Sequence, residues 1–343
     1  MMHFCYRIRI MKLIIQIPCY NEEVSLPVTL SALPDKIDGI DEIEVLIADD
    51  GSTDRTVQIA KEYGVKHIET AARRRGLAKT FTAAIQRALK EGADIIVNTD
   101  ADNQYYAGDI EKLVRPVLEK RADIVIGARP IKDMKQFSLL KKMLQFLGSK
   151  AVRLLSASDA ADAPSGFRAF SRDAALALNV FDNYTYTIET VIQAKTKGLH
   201  ILSVPIRVNN CYRKSRLVKN IFTYIQKNSL TILRMFIIYR PFRFFALIGG
   251  MILSLGLVLV LRFLFCYFAD SGQGHIQSLI ASSIFIIVGF QTVIFGVLAD
   301  LLSINRKLEE DIQIRIKKLE NKPLAAPVLL QHNCSDESSC KRK

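Results

Sequence analysis

The stretch Asn98-Thr99-Asp100-Ala101-Asp102-Asn103-Gln104 sets two carboxylates one small residue apart, directly after the apolar run Ile95-Ile96-Val97. Such a run reads as a buried strand. In extended backbone, residues two apart point to the same side, so Asp100, Asp102 and Gln104 can face one spot. Oxygens of this kind suit a hard divalent cation that keeps positions open for substrate phosphates. On its own the pattern is more often a polar loop capping a strand. The rest of the chain tips the reading toward chemistry.

Two further polar clusters follow apolar runs in the same way. Pro18-Cys19-Tyr20-Asn21-Glu22-Glu23 follows residues 13–17, and Asp49-Asp50-Gly51-Ser52-Thr53-Asp54 follows residues 45–48. A third run, 124–126, leads to Gly127-Ala128-Arg129, whose guanidinium can clamp a diphosphate. Arg73-Arg74-Arg75-Gly76-Leu77-Ala78-Lys79 opens a helical stretch at 80–90. It offers cations and backbone N–H groups to an anion, or it is a solvated charge run. Residues 162–168 form a turn-rich loop, and a helix at 184–197 carries Glu189, either a catalytic carboxylate or a helix-start charge. Residues 201–208, broken by Pro205, read as a strand near a sheet edge that leads into the basic loop Arg213-Lys214-Ser215-Arg216.

The elements that must position these groups repeat as strand, turn, helix, strand. That is the signature of a parallel α/β sheet. In such sheets ligands bind outside the carboxyl ends of the strands. The clusters at 18–23, 49–54 and 100–104 all fall on that rim.

The chain has 343 residues, 50% hydrophobic and 24% charged, with a net charge of +13. That mixture fits a soluble domain joined to a membrane segment. Residues 207–243 carry nine Lys or Arg and no acid, an electrostatic footprint for phosphates of lipid or nucleotide. A nucleic-acid role finds no recognisable module. The six cysteines form no CxxC pair and no zinc-ligand spacing, and are expected to be reduced thiols. No signal peptide is expected in the first ten residues, and Met11 is the alternative start.

Residues 244–261, continuing past Arg262 to 268, and residues 276–299 are long uncharged apolar stretches. Crossing a hydrocarbon core takes roughly 20 residues. Arg240 and Arg243 precede this hairpin, Arg306 and Lys307 follow it, and the connector 269–275 has no Lys or Arg. Both chain ends are therefore expected in the cytoplasm. Residues 137–155 suit either a packed or a membrane-surface helix, and 217–239 an interfacial helix. Residues 305–321 read as a helix with Leu308, Ile312, Ile316 and Leu319 on one face, for subunit packing or a membrane surface. The tail from Pro323 reads as disordered. The resulting division is a catalytic domain at 1–212, basic interfacial helices at 213–243, a transmembrane hairpin at 244–303, a cytoplasmic helix at 304–322 and a tail at 323–343.

Pro18-Cys19-Tyr20-Asn21-Glu22, Asp49 to Asp54, Arg75-Gly76, Asp100 to Gln104 and Ser165-Gly166-Phe167-Arg168 occur in the order seen in family 2 glycosyltransferases of the GT-A fold, which the first two-thirds of the chain resembles. With its hairpin the chain is similar to polyprenyl-phosphate glycosyltransferases. The resemblance implies a Rossmann-like, mostly parallel catalytic domain. It also implies inverting transfer of one sugar from a UDP- or GDP-sugar to undecaprenyl or dolichyl phosphate, with Mg2+ or Mn2+. Pro18, Tyr20, Glu22, Ala48, Asp50, Asp100 and Ala101 would line the nucleotide pocket, and Asp102 and Gln104 would hold the metal. Arg129 and Arg213 would act on the diphosphate with Asp102, and Lys79, Arg168, Lys214 and Arg216 would meet phosphates. The loop 212–216 lacks the Gly those relatives carry, and no QxxRW pattern of processive synthases is present. Rival readings are a diacylglycerol or lipid-linked sugar acceptor, and an inactive nucleotide-binding membrane scaffold. Homo-oligomers through the hairpin and C-terminal helix are a further expectation.

Overall fold

A computed structural model describes residues 10–130, 161–180, 186–209, 230, 233–234, 236–269 and 276–321. The expected helix at 137–155, the loop with Arg213, Lys214 and Arg216, most of the interfacial segment and the tail lie outside the described residues.

Seven strands form one sheet: β1 (Lys12–Cys19), β2 (Glu42–Asp49), β3 (His67–Thr70), β4 (Ile95–Asn98), β5 (Ile124–Ala128), β6 (Arg168–Ser171) and β7 (Ile201–Pro205). Their order is β3-β2-β1-β4-β6-β5-β7. β6 runs antiparallel to β4 and β5, and every other pairing is parallel. β7 closes one edge, as its Pro205 requires.

Helices cover both faces of the sheet: α1 (Leu26–Ala32), α2 (Thr56–Glu62), α3 (Leu77–Lys90), α4 (Ile110–Leu118), α5 (Arg172–Ala177) and α6 (Thr187–Thr196). Successive strand residues point to opposite faces, so β1 feeds both cores. Ile14 packs with Phe81 and Ala84 of α3 and Val191 of α6. Leu13 and Ile15 pack with Leu26 of α1 and Leu113 of α4. Burial on both faces explains why these strands read as continuous apolar runs.

Residues 168–171 correct the sequence expectation of a loop ending at Arg168. They are a strand, and the Arg168 guanidinium is fully buried. Because β6 is antiparallel, with Arg168 opposite Asn98, the segment before it crosses the carboxyl rim of β4.

Two long helices follow, α7 (Pro241–Ala269) and α8 (Ile276–Glu320). Both are long and apolar enough to cross a membrane, and only 11% of each apolar window is buried within the chain. Where a span at 276–299 and a separate helix at 304–322 were expected, α8 runs unbroken for 45 residues. No Gly or Pro interrupts residues 297–320, so nothing there stops a helix. The residues α8 buries are Ser282, Gly289, Gly296, Ser303 and Glu310, each seven after the last. A strict seven-residue repeat imposes a left-handed supercoil, and small residues let the two backbones approach closely. A Cβ added at Gly289 would lie 2.7 Å from Leu253 Cγ and 2.9 Å from Leu253 N.

Beyond the apolar window, α8 docks on the catalytic domain. Lys197 Nζ meets Glu310 at 3.1 Å, Lys317 Nζ donates to Asn179 Oδ1 at 2.5 Å, and Arg172 donates to Asn321 O at 2.7 Å.

Candidate active site at the carboxyl rim

The turn after β4 carries Asp100, Ala101, Asp102 and Gln104. Its root is a buried network. Gln16 Nε2 donates to Asn98 Oδ1 at 2.9 Å, and Asn98 Nδ2 donates to Gly166 O and Tyr186 Oη, both at 2.8 Å. Tyr186 stacks on Phe81 with ring centroids 3.8 Å apart. This network brings Gly166 against Asp100, so that a Cβ there would lie 3.1 Å from Asp100 Oδ1. Tyr105 completes the pocket. Its hydroxyl accepts from Gly166 N at 3.2 Å and helps to favour the charged form of the nearby Asp100.

Asp100 is pushed up to about 7, first by burial and then by the charge of Asp102, with Arg129 opposing. Each carboxylate disfavours the other's charge, and a divalent cation between them would remove the repulsion. That makes the donor set fit a metal. Among the described residues no three His, Cys, Asp or Glu converge on one point. An ion here would complete its shell from phosphate oxygens and water. Asp102 Oδ1 accepts from Gln104 N at 3.1 Å, which fixes the turn that carries both groups.

Arg129 lies at the rim but its fork is engaged. Nε and Nη2 donate to Asp162 Oδ2 and Oδ1 at 2.7 and 3.0 Å. Burial lowers its pKa, yet Tyr105, Asp162 and Asp100 raise it overall. Arg168 does not reach the rim. Its guanidinium donates to Ser165 O, Ala163 O and Thr190 Oγ1 at 2.8, 2.5 and 2.6 Å. It braces the loop 163–165 from inside, which corrects the expectation that it meets phosphate. Burial pulls its pKa down to about 10. Glu189 is also fully buried and accepts from Gln193 at 3.1 Å.

The nucleotide-side residues gather on the other half of the rim. Pro18 and Ala48 are register partners on β1 and β2. Ala101 is buried, its carbonyl accepting from Thr29 Oγ1 at 2.9 Å. Glu22 Oε2 accepts from Ser25 Oγ at 2.6 Å, and Arg74 stacks 4.3 Å over the Tyr20 ring. Asp50 Oδ1 accepts from Arg75 N at 2.7 Å, Gly76 N at 3.1 Å and Thr80 Oγ1 at 3.0 Å. The N–H groups of Arg75 and Gly76, in the loop just before α3, are thus met by the chain's own carboxylate. Gly51, at φ 76, lies under this loop, and a Cβ there would sit 2.9 Å from Arg73 C. Lys79 is exposed on the first turn of α3.

The parts that Tyr105, Gly166, Asn98, Tyr186 and Asp162 play in supporting the site were not read from the sequence. Each acts through a partner far along the chain. The Ser165-Gly166-Phe167 motif was the one available signal.

Residues 14–178 match the family described as glycosyl transferase family 2. An uncharacterized protein of Methanocaldococcus jannaschii is 35% identical over 57% of this chain and 81% of its own length. Undecaprenyl-phosphate mannosyltransferase of Micrococcus luteus is 30% identical over 57% of this chain and 83% of its own. UDP-N-acetylglucosamine–dolichyl-phosphate N-acetylglucosaminyltransferase of Methanococcus voltae is 30% identical over 56% and 83%. The chain belongs to glycosyl transferase family 2 and is a glycosyltransferase. Among solved structures, glucosyl-3-phosphoglycerate synthase of Mycobacterium tuberculosis, in complex with Mn2+, UDP and glucosyl-3-phosphoglycerate, superposes with a TM-score of 0.52. It is 19% identical over 66% of this chain and 79% of its own. That likeness establishes the GT-A-like fold.

Proposed function

We propose that the protein transfers a single sugar, with inversion, from a UDP- or GDP-sugar to a polyprenyl phosphate at the cytoplasmic membrane face, using Mg2+ or Mn2+. The observation that carries this is one continuous helix that joins an apolar hairpin to the domain bearing the acidic carboxyl rim. The names of the M. luteus and M. voltae relatives support the acceptor class. The Mn2+ and UDP of the M. tuberculosis structure support the donor side.

Asp102 and Gln104 would hold the cation on the donor diphosphate, with Asp100 facing the nucleotide. A cation there supplies charge stabilisation as the glycosidic bond breaks and negative charge builds on the departing nucleoside diphosphate. Arg129, fixed by Asp162, adds positive potential beside Asp100. Pro18, Tyr20, Glu22, Ala48, Asp50 and Ala101 would border the nucleotide, and Lys79 would add positive charge at its edge. Arg213, Lys214 and Arg216 remain the candidates for the acceptor phosphate.

The acceptor phosphate is an anion near neutral pH and needs no strong general base. A hydroxyl acceptor would need one, and Glu189, the residue considered for that task, is sealed inside α6. This favours the phosphate acceptor over diacylglycerol. The test is to incubate purified protein and Mg2+ or Mn2+ with polyprenyl phosphate and a panel of nucleotide sugars. Mass spectrometry should show one sugar added to the lipid phosphate. Glycosylated diacylglycerol, or no lipid product with any donor, would refute the proposal.

A further inference from the structure

We propose that Asn209 is a positioning residue for the turn at 100–104, orienting the peptide that in turn orients the Asp102 carboxylate. The inference rests on reading that turn as the cation site. Asn209 lies four residues beyond β7, at the end of the described stretch, and no motif points to it.

The turn bends at Asn103, whose φ of 53° is left-handed and uncommon for a residue with a Cβ. Asp102 Oδ1 is held by the N–H of Gln104 at 3.1 Å. That N–H shares a rigid, planar peptide with the carbonyl of Asn103. The Asn103 carbonyl accepts from Asn209 Nδ2 at 3.0 Å. The same Nδ2 lies 3.3 Å from Tyr105 O and 3.4 Å from Asn103 Oδ1, and the backbone N–H of Asn209 donates to Gln104 O at 2.8 Å. One residue therefore meets three successive carbonyls. A carboxamide supplies two N–H donors from one nitrogen, which an alcohol or an apolar side chain does not.

The clamp is itself anchored. Tyr105 and Val208 form an antiparallel bridge, and Tyr106 N donates to Arg207 O at 3.3 Å. Arg207 in turn grips the buried Asp109, its Nη2 at 2.6 Å from Oδ1. The continuation of β7 is thus the outer wall of the acidic turn. A residue that grips the peptide holding a ligand carboxylate belongs to the outer shell, where substitutions cost about 10- to 100-fold in metal affinity.

The test uses full-length protein in detergent and Mn2+ as the probe, with free ion measured by its paramagnetic resonance signal in the presence of UDP and, separately, GDP. Asn209→Leu, close to isosteric but without donors, should raise the Mn2+ half-saturation concentration about tenfold. Asn209→Ser, which keeps one donor, should fall between it and the wild type, and decides the matter alone should the leucine variant not fold. Unfolding temperatures in EDTA provide the second readout. Unchanged half-saturation with a lowered unfolding temperature would mean a merely structural clamp and overturn the inference. A wild type that takes up no Mn2+ with either nucleotide would overturn the cation reading itself, and the inference with it.

Discussion

Replacing Asp100 by Asn should make the metal-free protein more stable while disabling it. In the fold, Asp100 titrates near 7 rather than at its ordinary 3.8, because burial and Asp102 both disfavour its charge. An acid raised in the folded state binds a proton that the unfolded chain has already released. Stability therefore falls as pH rises from about 4 to about 7 and is flat above. Roughly three pKa units at 1.36 kcal/mol each give a cost of about 4 kcal/mol at pH 8, and about 2 kcal/mol at pH 5. Asparagine is nearly isosteric and never ionises. Asp100→Asn should recover up to that amount. At about 2–4 °C per kcal/mol for a domain of this size, the unfolding temperature in EDTA at pH 8 should rise by as much as roughly 8–16 °C. The gain should halve at pH 5. The chain has no tryptophan, so calorimetry is the suitable assay. Mn2+ with UDP or GDP should stabilise the wild type by mass action and the variant far less, and sugar transfer should fall in parallel. A variant that melts at or below the wild type at pH 8 in EDTA, or gains equally from Mn2+, would refute the account of a strained carboxylate pair.

Asp102→Asn should lower metal-dependent transfer by roughly 100-fold or more with the fold intact by circular dichroism; wild-type turnover would remove Asp102 from the cation site. Gly289→Val should cost about 1–3 kcal/mol by overpacking, because a Cβ at Gly289 meets the Leu253 backbone, whereas Gly250→Ala, with nothing within 4 Å, should be neutral; thermal unfolding in detergent compares them. Glu44 behaves oppositely to Asp100: burial would raise its pKa, but bonds from Lys12, Lys66 and His67 hold it at about 2. Its contribution, about 3 kcal/mol, is present above pH 4.5 and lost as pH falls toward 2, so Glu44→Gln should flatten acid unfolding over that window.

Much of the catalytic domain was legible because its central strands are buried on both faces and therefore spell continuous apolar runs. β1, β2, β4 and β5 announce themselves this way, and each ends in a polar cluster that the sheet collects on one rim. β3 did not, since His67 and Glu69 interrupt an edge strand that is only partly buried. β6 was hidden for a different reason. Its first residue is an arginine, and nothing local tells that Ser165, Ala163 and Thr190 will supply the oxygens that allow a guanidinium into the core. The same limit applies to the loop before α3, where the anion that meets the Arg75 and Gly76 N–H groups comes from Asp50, more than twenty residues earlier. Pairings of this kind depend on topology, and spacing along the chain does not encode them.

The seven-residue cadence of α8 ties two environments to a single phase. The interval that seats Gly289 and Gly296 against α7 also delivers Glu310 to Lys197 and, seven later, Lys317 to Asn179. Each residue of a helix turns by about 100°. One residue added between Ser303 and Glu310 would thus swing the enzymatic head a quarter-turn or more about the helix axis, without altering any side chain in it. Seven would restore its heading and only lift it. The compass bearing of the catalytic domain relative to the apolar hairpin is, in this protein, written into a count of residues.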